Sequence, residues 1–209
     1  MREAVVFIHG LWLTGLEMSL LRRRTRQCGF ACYQFRYHSL IATPAHSAAR
    51  LNEFLRDIDA DVIHLVAHSL GGIVVLHLFA ADPQQKPGHI VLLGSPVNGS
   101  SVALAMNRNP LMRALLGRST QQGLLGNVPR WKGARELGMI AGTRGPGLGT
   151  FLTLGKLTKP NDGTVVVRET TTSGISCHLQ VPYSHFTMLF AEPVARAVCR
   201  FLRSGNFSD

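Results

Sequence analysis

Acidic residues are scarce in this sequence, and the imbalance of charge limits its partners. The 209 residues include 12 Asp and Glu against 22 Lys and Arg, for a formal net charge of +10. Such an excess is typical of proteins that bind nucleic acid or an anionic membrane surface. The dense cluster of Arg22, Arg23, Arg24 and Arg26 falls on a predicted helix, where successive residues point about 100° apart. The cluster therefore spreads around the helix, which favours a solvated face, argues against a nucleic-acid partner and leaves contact with an anionic membrane surface open.

Long apolar runs are also missing. The N-terminal segment MREAVVFIHG is interrupted by His9 and Gly10 before it reaches the roughly 7 to 15 apolar residues of a secretory signal. The run over residues 73–81 is broken by His77, whereas a membrane span needs about 18 apolar residues. We therefore expect no signal peptide, no membrane span and a cytoplasmic location.

Cysteine is rare as well, with four residues at Cys28, Cys32, Cys177 and Cys199. No pair has the CxxC spacing of a metal site, and the count is low for a disulfide-rich secreted scaffold. The spacing predicts reduced, structural thiols without a disulfide and without a metal site.

What the sequence does contain is an alternation of strand-like and helix-like segments. The predicted strands cover residues 3–8, 31–35, the run before Ser69, 89–93, 137–141 and 176–181. The first predicted helix follows a Thr-x-x-Glu capping box at Thr14 and Glu17 and extends to about Gln27. The others are a segment opened by Thr43 and Pro44, the segment after Ser69, and residues 187–202. Such an alternation predicts an α/β fold with a mostly parallel sheet of about six strands and helices on both faces.

The length and the 45% hydrophobic content fit a single domain over residues 1–209. Within it, residues 97–135 form a candidate cap or insert with one or two short helices around 102–106 and 111–116. Residues 143–161 are rich in glycine and too long for a plain turn, which predicts a flap loop. Glycines flank the lid candidates in this loop, which are Phe151, Leu152, Leu154 and Leu157.

The stretch IHLVAHSLGGIVV, residues 63–75, carries the strongest chemical signal. An aliphatic run ends in AHSLGG, and an apolar pattern suited to a buried helix follows it. Ser69 would then occupy the tip of a strand-to-helix corner, whose strained backbone requires small residues two positions away; Ala67 and Gly71 meet this requirement. Such a corner holds a hydroxyl clear of the backbone and within reach of a base, so Ser69 is the candidate nucleophile.

The base and the acid follow from their position relative to the strands. In a parallel sheet, ligands bind beyond the carboxyl ends of the strands. His185 follows the last predicted strand at that end and is the preferred base over the alternative of a structural loop histidine. Asp162 follows the fifth strand, in the tetrapeptide PNDG, which is also ordinary turn chemistry. It is the preferred acid, with Glu169 as the second choice.

Two backbone amides are candidates for stabilising an oxyanion. The Leu70 amide begins the helix after the serine, where free N–H groups and the helix dipole favour negative charge. The second amide is assigned to Leu11, in the turn after the first strand, with Gly10 allowing close approach; a plain glycine turn is the alternative. Trp12 and Val97 are the candidates for a substrate-binding wall, although ordinary packing accounts for each of them equally well.

Five segments together resemble the α/β-hydrolase family: VVFIHGLW, LVAHSLGG, LLGSPVNGSS, PNDGTVVV and PYSHFTMLF, in the order serine, acid, histidine. The chain is similar to small bacterial lipases, whose serine motif also begins with alanine and whose sheet lacks the same first two strands. The resemblance implies a minimal α/β-hydrolase fold and a triad of Ser69, Asp162 and His185 with no metal or cofactor. Two features depart from the family: SPVNGS lacks the histidine of the corresponding lipase loop, and residues 142–160 delay the acid past its strand.

The pattern predicts a serine carboxyl-ester hydrolase of lipase or esterase type, acting on a small acyl ester or lipid. A thioesterase or acyltransferase with the same triad is the first alternative, since the positive charge suits a coenzyme-A or carrier-bound acyl group. A non-catalytic binding protein that retains the fold is the second. The expected lack of a signal peptide weakens the inference to bulk triglyceride, and the oligomeric state is left open.

Overall fold

Six parallel strands form the sheet of the computed structural model, which describes residues 1–152 and 157–208. The strands are β1 (Glu3–Ile8), β2 (Ala31–Phe35), β3 (Val62–His68), β4 (Ile90–Leu93), β5 (Leu137–Gly142) and β6 (Cys177–Val181). Their order across the sheet is β2-β1-β3-β4-β5-β6, and each neighbouring pair in this order is parallel. The predicted α/β fold and the six strands are therefore confirmed.

Helices connect these strands on both sides of the sheet. The described residues contain α1 (Ser19–Gln27), α2 (Pro44–Arg56), α3 (Leu70–Ala81), α4 (Ser101–Asn107), α5 (Pro110–Leu116), α6 (Leu148–Leu152) and α7 (Glu192–Ser204). Short 3₁₀ helices cover Gly117–Thr120, Val167–Thr170 and Thr187–Phe190. The predicted start of α2 is confirmed, because the Thr43 side chain accepts a hydrogen bond from the His46 amide and Pro44 follows it.

Strand β1 shows how the sheet separates two cores. Val6 and Ile8 pack with residues of α2 and α3 in one cluster, and Val5 and Phe7 pack with residues of α1 and α7 in the other. All four side chains are fully buried. Alternate residues of a strand point to opposite faces, so an aliphatic run without polar interruption is typical of a strand covered on both sides. Helices cover both faces of the sheet, as predicted.

The predicted start of α1 is wrong. The spacing of Thr14 and Glu17 suggested a capping box, but the helix begins at Ser19, and Met18 before it makes no side-chain cap. The Glu17 carboxylate instead accepts a hydrogen bond from the Gly15 amide at 3.0 Å, within the turn that precedes the helix. A motif of two residues is short enough that a turn can use the same side chains.

The predicted closing helix over residues 187–202 is divided in two. A 3₁₀ helix covers Thr187–Phe190, and α7 begins only at Glu192. Pro193 lies in the first turn of α7, where its missing N–H costs no hydrogen bond, whereas the interior of one longer helix would lose a bond there.

A disulfide between Cys28 and Cys199 corrects the expectation of four reduced thiols. The Cα atoms of the two residues are 6.4 Å apart, and 171 positions separate them in the sequence. Cys32 and Cys177 are free. Spacing could not reveal this pair, because α1 and α7 meet only once the chain has folded. Disulfides persist mainly in oxidising compartments, so the cytoplasmic location stays a prediction.

No helix in the described part of the chain is long and apolar enough to cross a bilayer.

The two long connections contain short helices. Residues 97–135 hold α4 and α5 close to their predicted positions, and residues 143–161 hold α6. Among the lid candidates, Phe151 is 79% exposed, whereas Leu157 is buried against the core that contains α2 and α3. Leu154 lies outside the described residues. The cap and the lid stay predictions.

Candidate active site

Ser69 lies at the junction of β3 and α3, at the position that its sequence predicts. Strand β3 ends at His68 and α3 begins at Leu70, and Ser69 between them has φ 54° and ψ −121°. A positive φ costs of order 1–3 kcal/mol for a residue with a Cβ atom. Hydrogen bonds on both sides hold this conformation, because the Ser69 amide donates to the Leu93 carbonyl at 2.9 Å and the Ser69 carbonyl accepts from the Gly72 amide at 3.0 Å.

Two glycines allow the corner to pack against neighbouring strands. A Cβ atom at Gly71 would lie 2.6 Å from the Ile8 carbonyl oxygen at the end of β1, and one at Gly72 would collide with the Ser95 side chain beyond β4. A real Cβ atom needs more than 3 Å. The small residues after the serine are therefore required by packing as well as by the strained backbone.

His185 and Asp162 form a hydrogen-bonded pair at the same edge of the sheet. The His185 Nδ1 lies 2.7 Å from the Asp162 Oδ2, and the His185 amide donates to the Asp162 carbonyl at 2.9 Å. An ionised carboxylate only accepts hydrogen bonds, so Nδ1 carries the hydrogen and the lone pair is left on Nε2. The histidine side chain is 14% exposed and the aspartate 1%. The two residues chosen from the sequence are thus in contact.

The turn that carries Asp162 also orients it. The Asp162 Oδ1 accepts hydrogen bonds from the amides of Thr164 at 2.9 Å and Val165 at 2.7 Å, which leaves Oδ2 directed at His185. The turn interpretation of PNDG is therefore confirmed, and the second carboxylate oxygen contacts the imidazole; the role of Asp162 as the catalytic acid stays a prediction.

Glu169, the second choice for the acid, has other partners. Its two oxygens accept hydrogen bonds from the Ser101 amide at 2.9 Å and the Val166 amide at 3.1 Å. These bonds join the start of α4 to the 3₁₀ helix over Val167–Thr170 and do not involve His185. Among the described residues, no three His, Cys, Asp or Glu side chains are grouped so that they could hold a metal ion.

The imidazole and the serine share neighbours at the end of β4. A Cβ atom at Gly94 would lie 3.0 Å from the His185 Nδ1 and 3.2 Å from the Asp162 Oδ2. Gly94 directly follows Leu93, whose carbonyl accepts the hydrogen bond from the Ser69 amide. The ring of His68, next to Ser69 in the chain, lies 4.7 Å from the His185 ring. No direct hydrogen bond joins the Ser69 hydroxyl to His185 within the described residues, and such contacts often tighten only when substrate binds.

His68 is a buried neutral histidine that supports the loop of His185. Its Nε2 donates to the His185 carbonyl at 3.0 Å, and the residue is 1% exposed. Burial first, and then the charge of a protonated His185, lower the pKa of His68 to about 3. Its Nδ1 is buried without a hydrogen-bond partner in the part of the chain that the structure describes. The sequence alone gives no sign of this contact, because it joins the ends of β3 and β6.

Both predicted oxyanion donors adjoin Ser69. Leu70 is the next residue and begins α3. Leu11 follows Gly10, at which a Cβ atom would lie 3.0 Å from the Ser69 Cβ. Neither the Leu11 nor the Leu70 N–H group donates a hydrogen bond to another described residue. Two free amides beside the serine are available to an anionic oxygen.

The two predicted substrate-binding residues differ in exposure. Trp12 is 45% exposed and lines a cleft of about 480 Å³. Its backbone has φ 61°, its amide donates to the Ser39 hydroxyl at 3.1 Å, and its indole N–H donates to the Leu115 carbonyl in α5 at 2.7 Å. Val97 is 5% exposed and packs in the core with α3, which is the alternative that the sequence left open for it.

His9 and Tyr37 hold the loop that contains Leu11, a role that the sequence does not reveal. The His9 Nδ1 donates to the Gly10 carbonyl at 2.8 Å, and its Nε2 accepts from the Tyr37 amide at 3.3 Å. The Tyr37 ring stacks on the imidazole at 4.4 Å, and its hydroxyl donates to the His9 carbonyl at 2.8 Å. Burial lowers the pKa of His9, which keeps the ring neutral. Tyr37 follows a different strand, so only the folded sheet brings the two rings together.

Comparison with known proteins identifies the family. The model of a family described as the alpha/beta hydrolase family matches residues 5–197. The chain belongs to the α/β-hydrolase family. The match contains the serine corner, the acid turn and the histidine loop, and it confirms the resemblance seen in the five sequence segments.

Several solved structures share the fold of this α/β-hydrolase. Lipase BlEst2 of Bacillus licheniformis, in its mature form, has a TM-score of 0.71 and 17% identity over 90% of this chain and 86% of its own. Phospholipase PlaB of Legionella pneumophila has a TM-score of 0.73 and 15% identity over 98% of this chain, but only 59% of its own. The metagenomic carboxyl esterase MGS0156 has a TM-score of 0.63 and 19% identity over 90% of this chain and 65% of its own. No curated protein sequence matches.

Proposed function

We propose that this α/β-hydrolase is a serine carboxyl-ester hydrolase of the lipase or esterase type. The observation that carries the proposal is the 2.7 Å contact between His185 and Asp162 at the sheet edge where the strained Ser69 emerges. Membership of the family supports a hydrolase. Similarity in fold to a lipase and to a carboxyl esterase supports ester chemistry, although fold alone does not select a substrate.

Acylation uses each group at this edge. The Ser69 Oγ attacks the ester carbonyl carbon while the His185 Nε2 takes the hydroxyl proton, and Asp162 stabilises the imidazolium that forms. The amides of Leu11 and Leu70 donate to the negative carbonyl oxygen. The bond to the alcohol then breaks, the alcohol leaves with the proton from His185, and the acyl group stays on Ser69.

Deacylation repeats these steps with water. His185 takes a proton from a water molecule as the water oxygen attacks the acyl carbon, and the proton returns to Ser69 as the carboxylic acid leaves. A thioester substrate, or an acceptor other than water, would make the same protein a thioesterase or an acyltransferase. Arg36 and Arg50 favour this second candidate, because they line the cleft beside Trp12 and suit a phosphate-bearing thiol such as coenzyme A.

Labelling with a fluorophosphonate probe tests the nucleophile. We expect the wild-type protein to be labelled at neutral pH, mass mapping to locate the label on Ser69, and Ser69→Ala to abolish it. Ser95→Ala is the matched control, because the Ser95 hydroxyl is buried without a partner in the described residues and its loss should leave labelling unchanged. A wild type that stays unlabelled in both buffer and detergent would favour the non-catalytic alternative, and equal labelling of Ser69→Ala would place the nucleophile elsewhere.

A chain-length series of nitrophenyl esters, measured beside acyl-thioesters of the same lengths, tests the leaving group. The ester proposal expects higher kcat/KM for the ester at one or more lengths. A preference for the thioester at every length would instead make the protein a thioesterase or an acyltransferase.

A further inference from the structure

Two adjoining cavities beside the loop that contains Leu11 are lined by arginines. The first is the 480 Å³ cleft that Trp12 lines, and the second has a volume of about 320 Å³. They share three lining residues: His38, Ile41 and Arg50. Arg36 lines the first cavity and Arg118 the second. We call the two cavities together the basic cleft.

The three arginines of the basic cleft have no acidic partner. None of the side chains of Arg36, Arg50 and Arg118 makes an ion pair or a hydrogen bond to another described residue, and no Asp or Glu lines either cavity. By contrast, Arg56 at the far end of α2 pairs with Asp82 at 3.5 Å. Like charges around one cavity repel each other, and a bound anion would remove this repulsion.

The walls between the arginines are apolar and held in place. Leu13, Leu40 and Ile41 line the first cavity together with Trp12. The indole bond to α5 fixes Trp12, and the Arg118 amide donates to the Leu40 carbonyl at 2.9 Å. Four segments, the loops after β1 and β2, helix α2 and the 3₁₀ helix that follows α5, thus build one cleft with an apolar lining and basic groups. Such a surface suits an amphiphilic anion.

The basic cleft begins next to the site of the proposed chemistry. Trp12 follows Leu11, and successive Cα atoms are about 3.8 Å apart. His9, whose ring holds the Gly10 carbonyl, also lines the cleft. A substrate whose carbonyl oxygen accepts from the Leu11 amide would therefore lie beside a residue that lines the cleft.

We propose that the basic cleft binds a phosphate group carried by the acyl substrate of Ser69. The proposal rests on the proposed function and names the class of substrate. Guanidinium groups bind phosphate oxygens through charge-assisted, often paired hydrogen bonds. A phosphate monoester carries about two negative charges at neutral pH, and a phosphodiester, as in a phospholipid, carries about one. The apolar walls receive the hydrocarbon part. Phospholipids and coenzyme-A thioesters share this chemistry of an acyl group tethered to phosphate.

Binding of phosphate-bearing fragments tests the cleft without any turnover. Calorimetry would use glycerol 3-phosphate as the lipid fragment, adenosine 3′,5′-bisphosphate as the coenzyme-A fragment and glycerol as the neutral control. We expect one or both phosphates to bind, and the Arg50→Gln/Arg118→Gln variant to bind about tenfold more weakly, as loss of about 1.4 kcal/mol implies. The control variant, Arg23→Gln/Arg130→Gln, removes two exposed arginines outside both cavities and should bind within about twofold of wild type. No binding of either phosphate, or equal loss in the control variant, would overturn the proposal.

Substrate selectivity distinguishes the two sources of phosphate. The ratio of kcat/KM for lysophosphatidylglycerol, or for butyryl coenzyme A, to that for nitrophenyl butyrate should fall about tenfold in the Arg50→Gln/Arg118→Gln variant. The substrate whose ratio falls identifies the source, and unchanged ratios for both would overturn the proposal.

If the fragments bind through these arginines but the probe does not label Ser69, the proposed function fails and the phosphate site stands. If Ser69 is labelled and no fragment binds, the function stands and the phosphate site fails.

Discussion

The polar groups at the two ends of the parallel strands are paired differently. We call the side of the sheet where the strands begin the amino edge and the side where they end the carboxyl edge. At the amino edge, Arg2 pairs with Asp59, and Lys86 donates to the carbonyls of Ile58 and Ala60 at 3.0 Å each, whereas the His64 Nε2 and the Arg135 Nε are buried without a hydrogen-bond partner among the described residues. At the carboxyl edge, groups of several kinds lack partners among the described residues, including the Leu11 and Leu70 amides, the His68 Nδ1 and the arginines of the basic cleft. Buried or clustered polar groups that stay unpaired cost stability, so the unpaired groups at the carboxyl edge are candidates for contact with a ligand.

The largest expected effect at the carboxyl edge comes from the acid. Asp162→Asn should lower kcat for nitrophenyl esters about 10⁴-fold, because the amide cannot hold the His185 tautomer or stabilise the imidazolium. Glu169→Gln is the matched control, since Glu169 is a buried acid at the same edge whose hydrogen bonds go to Ser101 and Val166. It should lower stability by about 1 kcal/mol and leave kcat within a few-fold. A severe loss at Glu169 with a mild one at Asp162 would show that the acid is misassigned.

The next largest effect is expected from removing the disulfide, which should change the stability of the protein but not its activity. Cys28 ends α1 next to the start of β2, at the amino edge, and its bond to Cys199 closes a loop of most of the chain. Cys28→Ser/Cys199→Ser should lower the free energy of unfolding by about 4 kcal/mol and Tm by roughly 10 °C, with kcat unchanged. Thiol titration of protein purified without reductant should find two reactive thiols, Cys32 and Cys177, after unfolding. Four thiols in that experiment would contradict the disulfide.

The buried, neutral His68 should make the free energy of unfolding fall at acid pH. Its folded pKa of about 3 lies below the ordinary value for histidine, so between these two values the unfolded chain binds a proton that the folded protein does not. Stability is therefore complete above about pH 6.5 and falls as the pH drops towards 3, by about 1.4 kcal/mol per unit. Urea unfolding at pH 8 and pH 5 should show that His68→Gln loses about 2 kcal/mol less than wild type over this interval.

Two other histidines calibrate that measurement. His46→Gln changes an exposed residue and should leave the pH dependence unaltered. His64, near the amino end of the same strand, has a pKa lowered to about 4, first by burial and then by His89 and Arg135. Because the folded pKa values of both histidines lie below pH 5, His64→Gln should reduce the loss of stability between pH 8 and pH 5 by about as much as His68→Gln does. Equal pH dependence in wild type and His68→Gln would mean that His68 is charged in the folded protein.

The smallest effect is expected at the exposed ion pair of the amino edge. The Arg2 and Asp59 side chains are 61% and 82% exposed, and water screens such pairs strongly. Asp59→Asn should shift Tm by less than about 2 °C and leave kcat unchanged. A clear fall in kcat would show that the two edges are coupled, and the contrast between them would not hold.

The sequence predicted the candidate active site better than its surroundings. The serine corner follows from a strand, two small residues and a helix that are consecutive in the chain, and the position of His185 and Asp162 follows from the rule that places sites beyond the strand ends. The Thr14 and Glu17 pattern was wrong because a two-residue motif does not distinguish a helix start from a turn. The roles of His68, His9 and Tyr37 depend on contacts between segments far apart in sequence, for which no local pattern exists.

The sequence by itself determined the α/β alternation, the family and the strained corner at Ser69, because each of these depends on residues that are neighbours in the chain. Only the tertiary structure decided that Asp162 contacts His185 and Glu169 does not, that Cys28 bonds to Cys199, and that three arginines from separate segments line one cleft. Backbone geometry constrains adjacent residues directly, whereas the partner of a side chain on a loop depends on how all the strands between the two segments pack.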